Sequence, residues 1–398
     1  MRRLWLSTAL LISAGWTFPA AHAAVPRTEA EAENMLLLQT ASGGWSKQYQ
    51  GKAVDYQHVF SADERTVLQA PDRLDDANID NKSTTREIRH LLQAWKDTGN
   101  AAYLGAARRG VDYLLAAQYA NGGWPQYYPE RSLYRHQITF NDDAMTRVLD
   151  LLQDIAEGAP AVAGLPPDYA GKANAALQRG LQNVLATQVR MDGRLSIWAA
   201  QYDEVSLQPA KARSYELPSL AVSESVGVLR LLMRQHEPSP QTIEAIEAGL
   251  QWLQANALPG LAMRKVETPE QPSGKDVLIE PLAGARLWAR FYDLDQGRPM
   301  FVNREGERVA RFADIPNERR VGYAWYGVWP EQLLEREWPK WAQRHGREQP
   351  SPQPPLRAPA LAPAHGRSER REPLVRERPF SPRRERGLSK AVNRFGTS

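Results

Sequence analysis

A chain of 398 residues without a single cysteine can form neither disulfides nor thiolate metal sites, so it must hold together by core burial and bind any metal through oxygen or histidine. Its formal charge of +4 is unevenly spread: twelve Arg and Lys against five Asp and Glu fall between Gly346 and Ser398, a net of +7 that leaves −3 for residues 1–345. The body is therefore mildly acidic, and composition gives no reason to expect a nucleic-acid partner.

The chain opens with Arg2 and Arg3, an apolar stretch from Leu4 to Phe18, and Ala21-His22-Ala23, the pattern of a cleavable export signal over residues 1–23. No later stretch reaches the roughly 18 consecutive apolar residues of a membrane span. The expected product is secreted or periplasmic, with no membrane partner.

Residues 24–345 carry a weak internal repeat. Leu36 to Gln39 precedes Gly43-Gly44-Trp45, and Leu114 to Gln118 precedes Gly122-Gly123-Trp124, each Trp lying six residues after its Gln. Degenerate copies place Gln188 before Asp192-Gly193 and Gln254 before Pro259-Gly260. Each copy reads as a helix end followed by a glycine turn. Between them, Ile88, Leu91, Leu92 and Trp95 form a helical stripe, as do Met145, Val148, Leu149 and Leu152, and Val226, Leu229, Leu232 and Met233. Paired helices recurring about every 70 residues predict an all-α fold, a toroid of helical hairpins with short β elements and long loops. Met300-Phe301-Val302 and Arg308 to Phe312 read as one β-hairpin. From Gly346 the chain is rich in Pro and Arg with few large apolar residues, the composition of a disordered tail over 346–398.

Five polar clusters fall at helix beginnings or in loops: Asp80-Asn81 with Thr84-Thr85, Asn141-Asp142-Asp143, Gln201 to Glu204, Lys211 to Glu216, and Ser223-Glu224-Ser225. Singly, each is explained by helix capping, with Asp80, Asn81 or Asn141 as the cap. Recurrence at equivalent turns of a ring brings them instead to one cleft, where acidic and amide oxygens suit a hard cation such as Ca²⁺. Arg213, Arg286, Arg290, Arg298 and Arg304 add forks for carboxylates, and the many Trp and Tyr offer faces for sugar rings. Trp45 and Trp124 themselves read better as turn-packing residues. The combination describes a cleft for an acidic polysaccharide.

The strings NGGWPQYYP, ITFNDDAM, WAAQYDEVSLQPAKARSYELPSLAVSESVGVLRLLM, RLWARFYDLDQGRPMFVNREG and ERRVGYAWYG resemble those of the pectate lyases of polysaccharide lyase family 10, over roughly Asn34 to Lys340. The resemblance implies an (α/α)3 toroid, Ca²⁺, and β-elimination across C4 and C5 of α-1,4-polygalacturonate by a monomer. By position it makes Asp80, Asn81 and Asp142 the metal site, with Asp80 also touching substrate. Asp143 stays open as the alternative to Asp142. Arg213 matches the family's Brønsted base, and Arg290 and Arg304 match arginines that bind substrate carboxylates. Lys82-Ser83 departs from the smaller residues usual after the Asp-Asn pair. A base of this kind needs neighbouring positive charge and low exposure, because an arginine in water stays protonated. Two other readings stand beside this one. A toroidal glycoside hydrolase would pair Asp142 with Asp203 or Glu204. A non-catalytic pectin-binding protein would share the fold without turnover.

Overall fold

The computed structural model describes residues 27–347. The export signal expected at 1–23 and nearly all of the tail expected from 346 lie outside the described residues.

Among the described residues the α-helices up to residue 255 are α1 (Ala30–Leu38), α2 (Ala62–Leu68), α3 (Thr85–Thr98), α4 (Ala101–Ala117), α5 (Ala144–Ala156), α6 (Asp168–Ala186), α7 (Val222–Met233) and α8 (Pro240–Ala255), with shorter ones following. Helices α3 with α4, α5 with α6 and α7 with α8 pack as three hairpins. Within the set, α5 packs on both α3 and α7, while α6 packs on both α4 and α8. The first row is the inner one: nine of the thirteen residues of α5 are buried, against seven of the nineteen in α6. This is the (α/α)3 toroid. The apolar stripes expected from the sequence are its inner faces, with Ile88, Leu91, Leu92, Met145, Val148, Leu149, Leu152, Val226, Leu229 and Leu232 all buried.

The repeat is a hydrogen-bonded device. The indole N–H groups of Trp45, Trp124, Trp198 and Trp288 donate to the carbonyls of Met35, Leu114, Val184 and Leu253, at 2.7 to 2.8 Å. Each bond ties the tryptophan to a carbonyl in the last turn of the preceding helix, where carbonyls run short of intrahelical partners; that of Met35 accepts from Gln39 N as well. Four residues after three of those carbonyls comes a glutamine that ties the turn to the next outer helix. Gln39 donates to the carbonyls of Gly43 and Ala106, Gln118 to those of Gly122 and Ala176, and Gln188 to those of Ser196 and Ala245. In the fourth copy this place falls on Ala257, so the alignment of Gln254 with the other three is three residues out of register. Trp45 and Trp124 are fully buried turn-packing residues, as expected.

The short hairpin is present, pairing Phe301 with Val309 and Val302 with Arg308. A longer one was not anticipated. Strands Leu258–Glu267 and Lys275–Ala289 run antiparallel from Leu258 opposite Leu287 to Glu267 opposite Lys275. This insertion separates α8 from Trp288, and its second strand ends at Ala289, which delivers Arg290 to the site.

Candidate active site

None of the inner helices α3, α5 and α7 has a side-chain cap, and neither has the outer helix α6, whereas Asn100 caps α4 and Ser239 caps α8 through their side chains. The capping explanation for the polar clusters therefore fails here: Asn141 does not cap α5, but donates its amide to Asp142 at 2.9 Å. The backbone before α3 and α5 is also unusual. Asn81 and Asp142 each occupy the middle of a three-residue turn, at φ of 49° and 51°, and Lys82 and Asp143 follow at 74° and 60°. Non-glycine residues in this region cost roughly 1–3 kcal/mol each and concentrate at functional sites. The two turns pack against each other, and the second packs against α7.

Together they wall a cavity of about 410 Å³, lined among others by Asn81, Lys82, Asp142, Glu224, Arg230 and Arg290. Arg290 is its electrostatic centre. Its Nη2 donates to Glu224 Oε1 at 2.5 Å and lies 3.3 Å from Asp142 Oδ1. Burial opposes the charge of Arg290, but Glu224, Tyr323 and Asp142 hold its pKa above the ordinary arginine value. Asp142 and Asp143 both line the cavity and are similarly exposed, but Asp142 faces Arg290, whereas Asp143 turns toward Arg147 at 3.3 Å and into the space left by Gly227, where a Cβ would stand 2.2 Å from its Oδ1. Burial raises the pKa of Asp143, with Arg147 opposing. Of the two aspartates, Asp142 is the one presented to Arg290.

Asp80 is buried beside these walls. One carboxylate oxygen is paired with Lys47, and Oδ1 has no hydrogen-bond partner among the described residues. Lys47 and Arg290 each stand two residues after a repeat Trp, so two copies of the unit deliver a cation to a carboxylate at this end. The buried unpartnered oxygen, the Asn81 amide and the Asp142 carboxylate are the hard oxygen donors that suit Ca²⁺. They fit the expected ion in donor chemistry, although no group of three or more His, Cys, Asp or Glu among the described residues is drawn together as a metal cluster.

Arg213 and Arg304 do not line this cavity. Arg213 is bidentate on Glu216, with Nε to Oε2 at 2.7 Å and Nη2 to Oε1. Those hydrogen bonds raise its pKa, against the effect of partial burial. Arg304 pairs with Glu318, and its carbonyl accepts from Ser214 Oγ at 2.9 Å, so the Arg213 and Arg304 loops abut. The link to Arg290 is aromatic: the Arg290 guanidinium lies 5.1 Å from the Tyr323 ring, and the Tyr323 hydroxyl lies 3.5 Å from Glu216. Arg286, another expected fork, is paired with Glu335 at 2.6 Å. Asp203 is spent on its own turn, accepting from Ser206 N at 2.7 Å and Ser206 Oγ at 2.8 Å, and Glu204 pairs with His136 at 2.7 Å.

Glu224 gains a sharper role than its cluster suggested, as the buried counter-charge of Arg290. Its place in the first turn of an uncapped helix was the available clue. Glu216 stood within the Lys211 to Glu216 cluster, three residues from Arg213, whereas Tyr323 carried no such clue, since its partners are distant in sequence.

The starts of the inner helices thus surround a cavity of mixed charge in a toroid of helical hairpins. A family model described as pectic acid lyase matches residues 39–334, and the chain belongs to that family. It is similar to the family 10 polysaccharide lyase from Cellvibrio cellulosa, with 31% identity and a TM-score of 0.68, covering 79% of this chain and 91% of that one. A mutant of the same Cellvibrio cellulosa lyase, solved in complex with trigalacturonic acid, matches at the same identity and TM-score over 92% of its length. No curated protein matches the chain. The protein is thus a pectate lyase of polysaccharide lyase family 10.

Proposed function

We propose that the enzyme is exported and cleaves α-1,4-polygalacturonate by Ca²⁺-assisted β-elimination, releasing 4,5-unsaturated oligogalacturonides. The observation that carries this reading is the meeting of Asn81, Asp142, Glu224 and Arg290 around one cavity. Support for the substrate comes from the trigalacturonic acid complex of the Cellvibrio cellulosa lyase.

Arg290 orients a uronate carboxylate, its guanidinium held rigid by Glu224 and stacked near Tyr323. Lys82 adds positive charge on the wall of the same cavity. Asp80, Asn81 and Asp142 would hold Ca²⁺, which supplies positive charge toward the carboxylate next to the acidic carbon. Arg213 takes the C5 proton as the C4–O4 bond breaks, and O4 leaves with a proton from solvent. To act so, Arg213 must first lose its own proton. The bidentate pair with Glu216 opposes that loss, so the reactive arrangement has Arg213 released from Glu216 toward the substrate. Arg304 stands outside the cavity wall and would meet a sugar unit farther along the chain.

A glycoside hydrolase reading fares worse, because its second carboxylate, Asp203 or Glu204, is already engaged in a turn or with His136. The test is an assay on polygalacturonate, followed by the absorbance of the unsaturated uronate product, with and without chelator, for wild type and Arg213→Ala. Reducing ends released without that absorbance would indicate hydrolysis and end the proposal.

A further inference from the structure

The mechanism leaves a second cavity unused. It measures about 890 Å³ and is lined among others by Glu157, Arg230, Arg234, Glu337, Lys340 and Arg344. Arg230 lines both this cavity and the one that holds Arg290. The shared wall follows from helix geometry: Ser223, Val226, Gly227, Arg230 and Arg234 recur at the three- and four-residue spacing of one face of α7. From Ser223 to Arg230 that face runs about 10 Å along the axis, at about 1.5 Å per residue.

Charge along this face changes character. The carboxylates lining the second cavity are already answered by its own cations: Glu337 pairs with Arg230 at 2.7 Å, and Glu157 lies 3.5 Å from Arg234. Arg234 is further held by Asp150 and Asp154. Lys340 and Arg344 remain, both exposed, one helical turn apart on the helix Trp338–Arg344, and neither forms a salt bridge among the described residues. Two unneutralised cations at i and i+4 form a short ladder of positive charge in a cavity that shares Arg230 with the one at Arg290.

We propose that this groove is a distal subsite for the substrate chain, in which Lys340 and Arg344 receive carboxylates of uronate units beyond those held at Arg290. The inference rests on the polygalacturonate reading above and extends it to chain-length preference. A polyanion spanning both cavities gains charge contacts that a short oligomer cannot reach, and those contacts are screened by salt.

The experiment compares kcat/KM on long polygalacturonate and on trigalacturonic acid, for wild type and the Lys340→Ala/Arg344→Ala double variant. Two exposed charge contacts are worth about 0.2–1 kcal/mol each, so the polymer-to-trimer ratio should fall roughly five-fold at low ionic strength. The fall should shrink with added salt, and Arg344→Lys should keep most of the ratio because it keeps the charge. A ratio unchanged in the double variant, with an unchanged melting curve, overturns the proposal. If wild type cleaves neither substrate, the lyase reading fails on its own. Equilibrium binding of a ten-unit and a three-unit oligogalacturonide then decides the groove, which requires the double variant to weaken the longer ligand selectively.

Discussion

Arg290 reaches Glu224 at 2.5 Å while lying 3.3 Å from Asp142, so one guanidinium joins the start of α7 to the turn before α5. The Glu224 side chain is 1% exposed and that of Arg290 11%. A pair this deep is poor evidence of net stabilisation, because desolvation consumes much of the Coulomb gain. Its value lies in placement. In the proposed mechanism the charge offered to the substrate would be fixed before the substrate arrives, and would need no reorganisation during the reaction.

Substitutions at Arg290 should therefore separate charge from geometry. Arg290→Lys keeps the charge but loses the planar fork, and kcat/KM on polygalacturonate should drop about 10- to 100-fold with the fold retained. Arg290→Ala leaves Glu224 buried without its cation, with only the Ser223 hydroxyl donating to it, and should cost about 3–5 kcal/mol of stability. Denaturant unfolding beside steady-state kinetics reads both. A lysine variant with wild-type kinetics would remove the fork from the mechanism.

For Arg213 the expected effect is on chemistry alone. Its side chain is 43% exposed and its salt bridge is local, so Arg213→Ala should fold normally. A lost general base lowers kcat by about 10²- to 10⁴-fold. Full activity in a folded Arg213→Ala protein would exclude it as the base.

Glu216 gives the pH test of the same idea. Its hydrogen bonds raise the pKa of Arg213, so the neutral base becomes scarcer at any given pH. Glu216→Gln removes the negative charge and lowers that pKa. The acid limb of the activity profile should move to lower pH, with the gain in rate largest on the neutral side. The kcat/KM profile against pH measures it, and a limb that stays in place, or moves up, would contradict the base assignment.

The donor set makes a separate prediction for Ca²⁺. Asp80 Oδ1 is buried with no hydrogen-bond partner among the described residues, and a buried acceptor gains about 1–3 kcal/mol when it is answered. Added Ca²⁺ should raise the melting temperature of wild type, since a ligand at 100 times its Kd contributes about 2.7 kcal/mol. Asp80→Asn and Asp142→Asn should each blunt that rise, whereas Asp143→Asn should not, because Asp143 faces Arg147 and Gly227. A wild-type melting temperature indifferent to both Ca²⁺ and chelator would rule out this site.

Much of this was legible because the repeat is written in local patterns. The apolar stripes gave the inner helices, and the Gly-Gly-Trp turns gave their order. Legibility decayed where loops were inserted: Trp198 follows its glutamine by ten residues, with the strands Arg190–Met191 and Arg194–Leu195 between them, and Trp288 follows α8 across the long hairpin. Around the site, Asp142 and Arg290 were readable as residue types at a converging end. Their shared partner Glu224 and the clamp of Glu216 on Arg213 were not, because an ion pair leaves no periodic trace in sequence.

The glycine turns allow the packing of the repeat to be tested in isolation. Gly122 lies at φ +90°, and a Cβ there would stand 2.0 Å from the Arg179 carbonyl oxygen of α6. Gly43 makes the same approach to Arg109 in α4, at φ +95° and 2.6 Å. Gly193 is also left-handed, at φ +77°, but a Cβ added there meets nothing within 4 Å. Alanine at Gly193 should cost only the conformational penalty, about 1–2 kcal/mol. Alanine at Gly122 should cost distinctly more, about 3–5 kcal/mol, because the backbone of the neighbouring helix cannot yield as a flexible side chain would. Urea unfolding should then rank the losses as Gly122→Ala, Gly43→Ala and Gly193→Ala. Equal losses at all three would mean that outer helices do not rest on these turns, and that the repeat is held by the tryptophan and glutamine bonds alone.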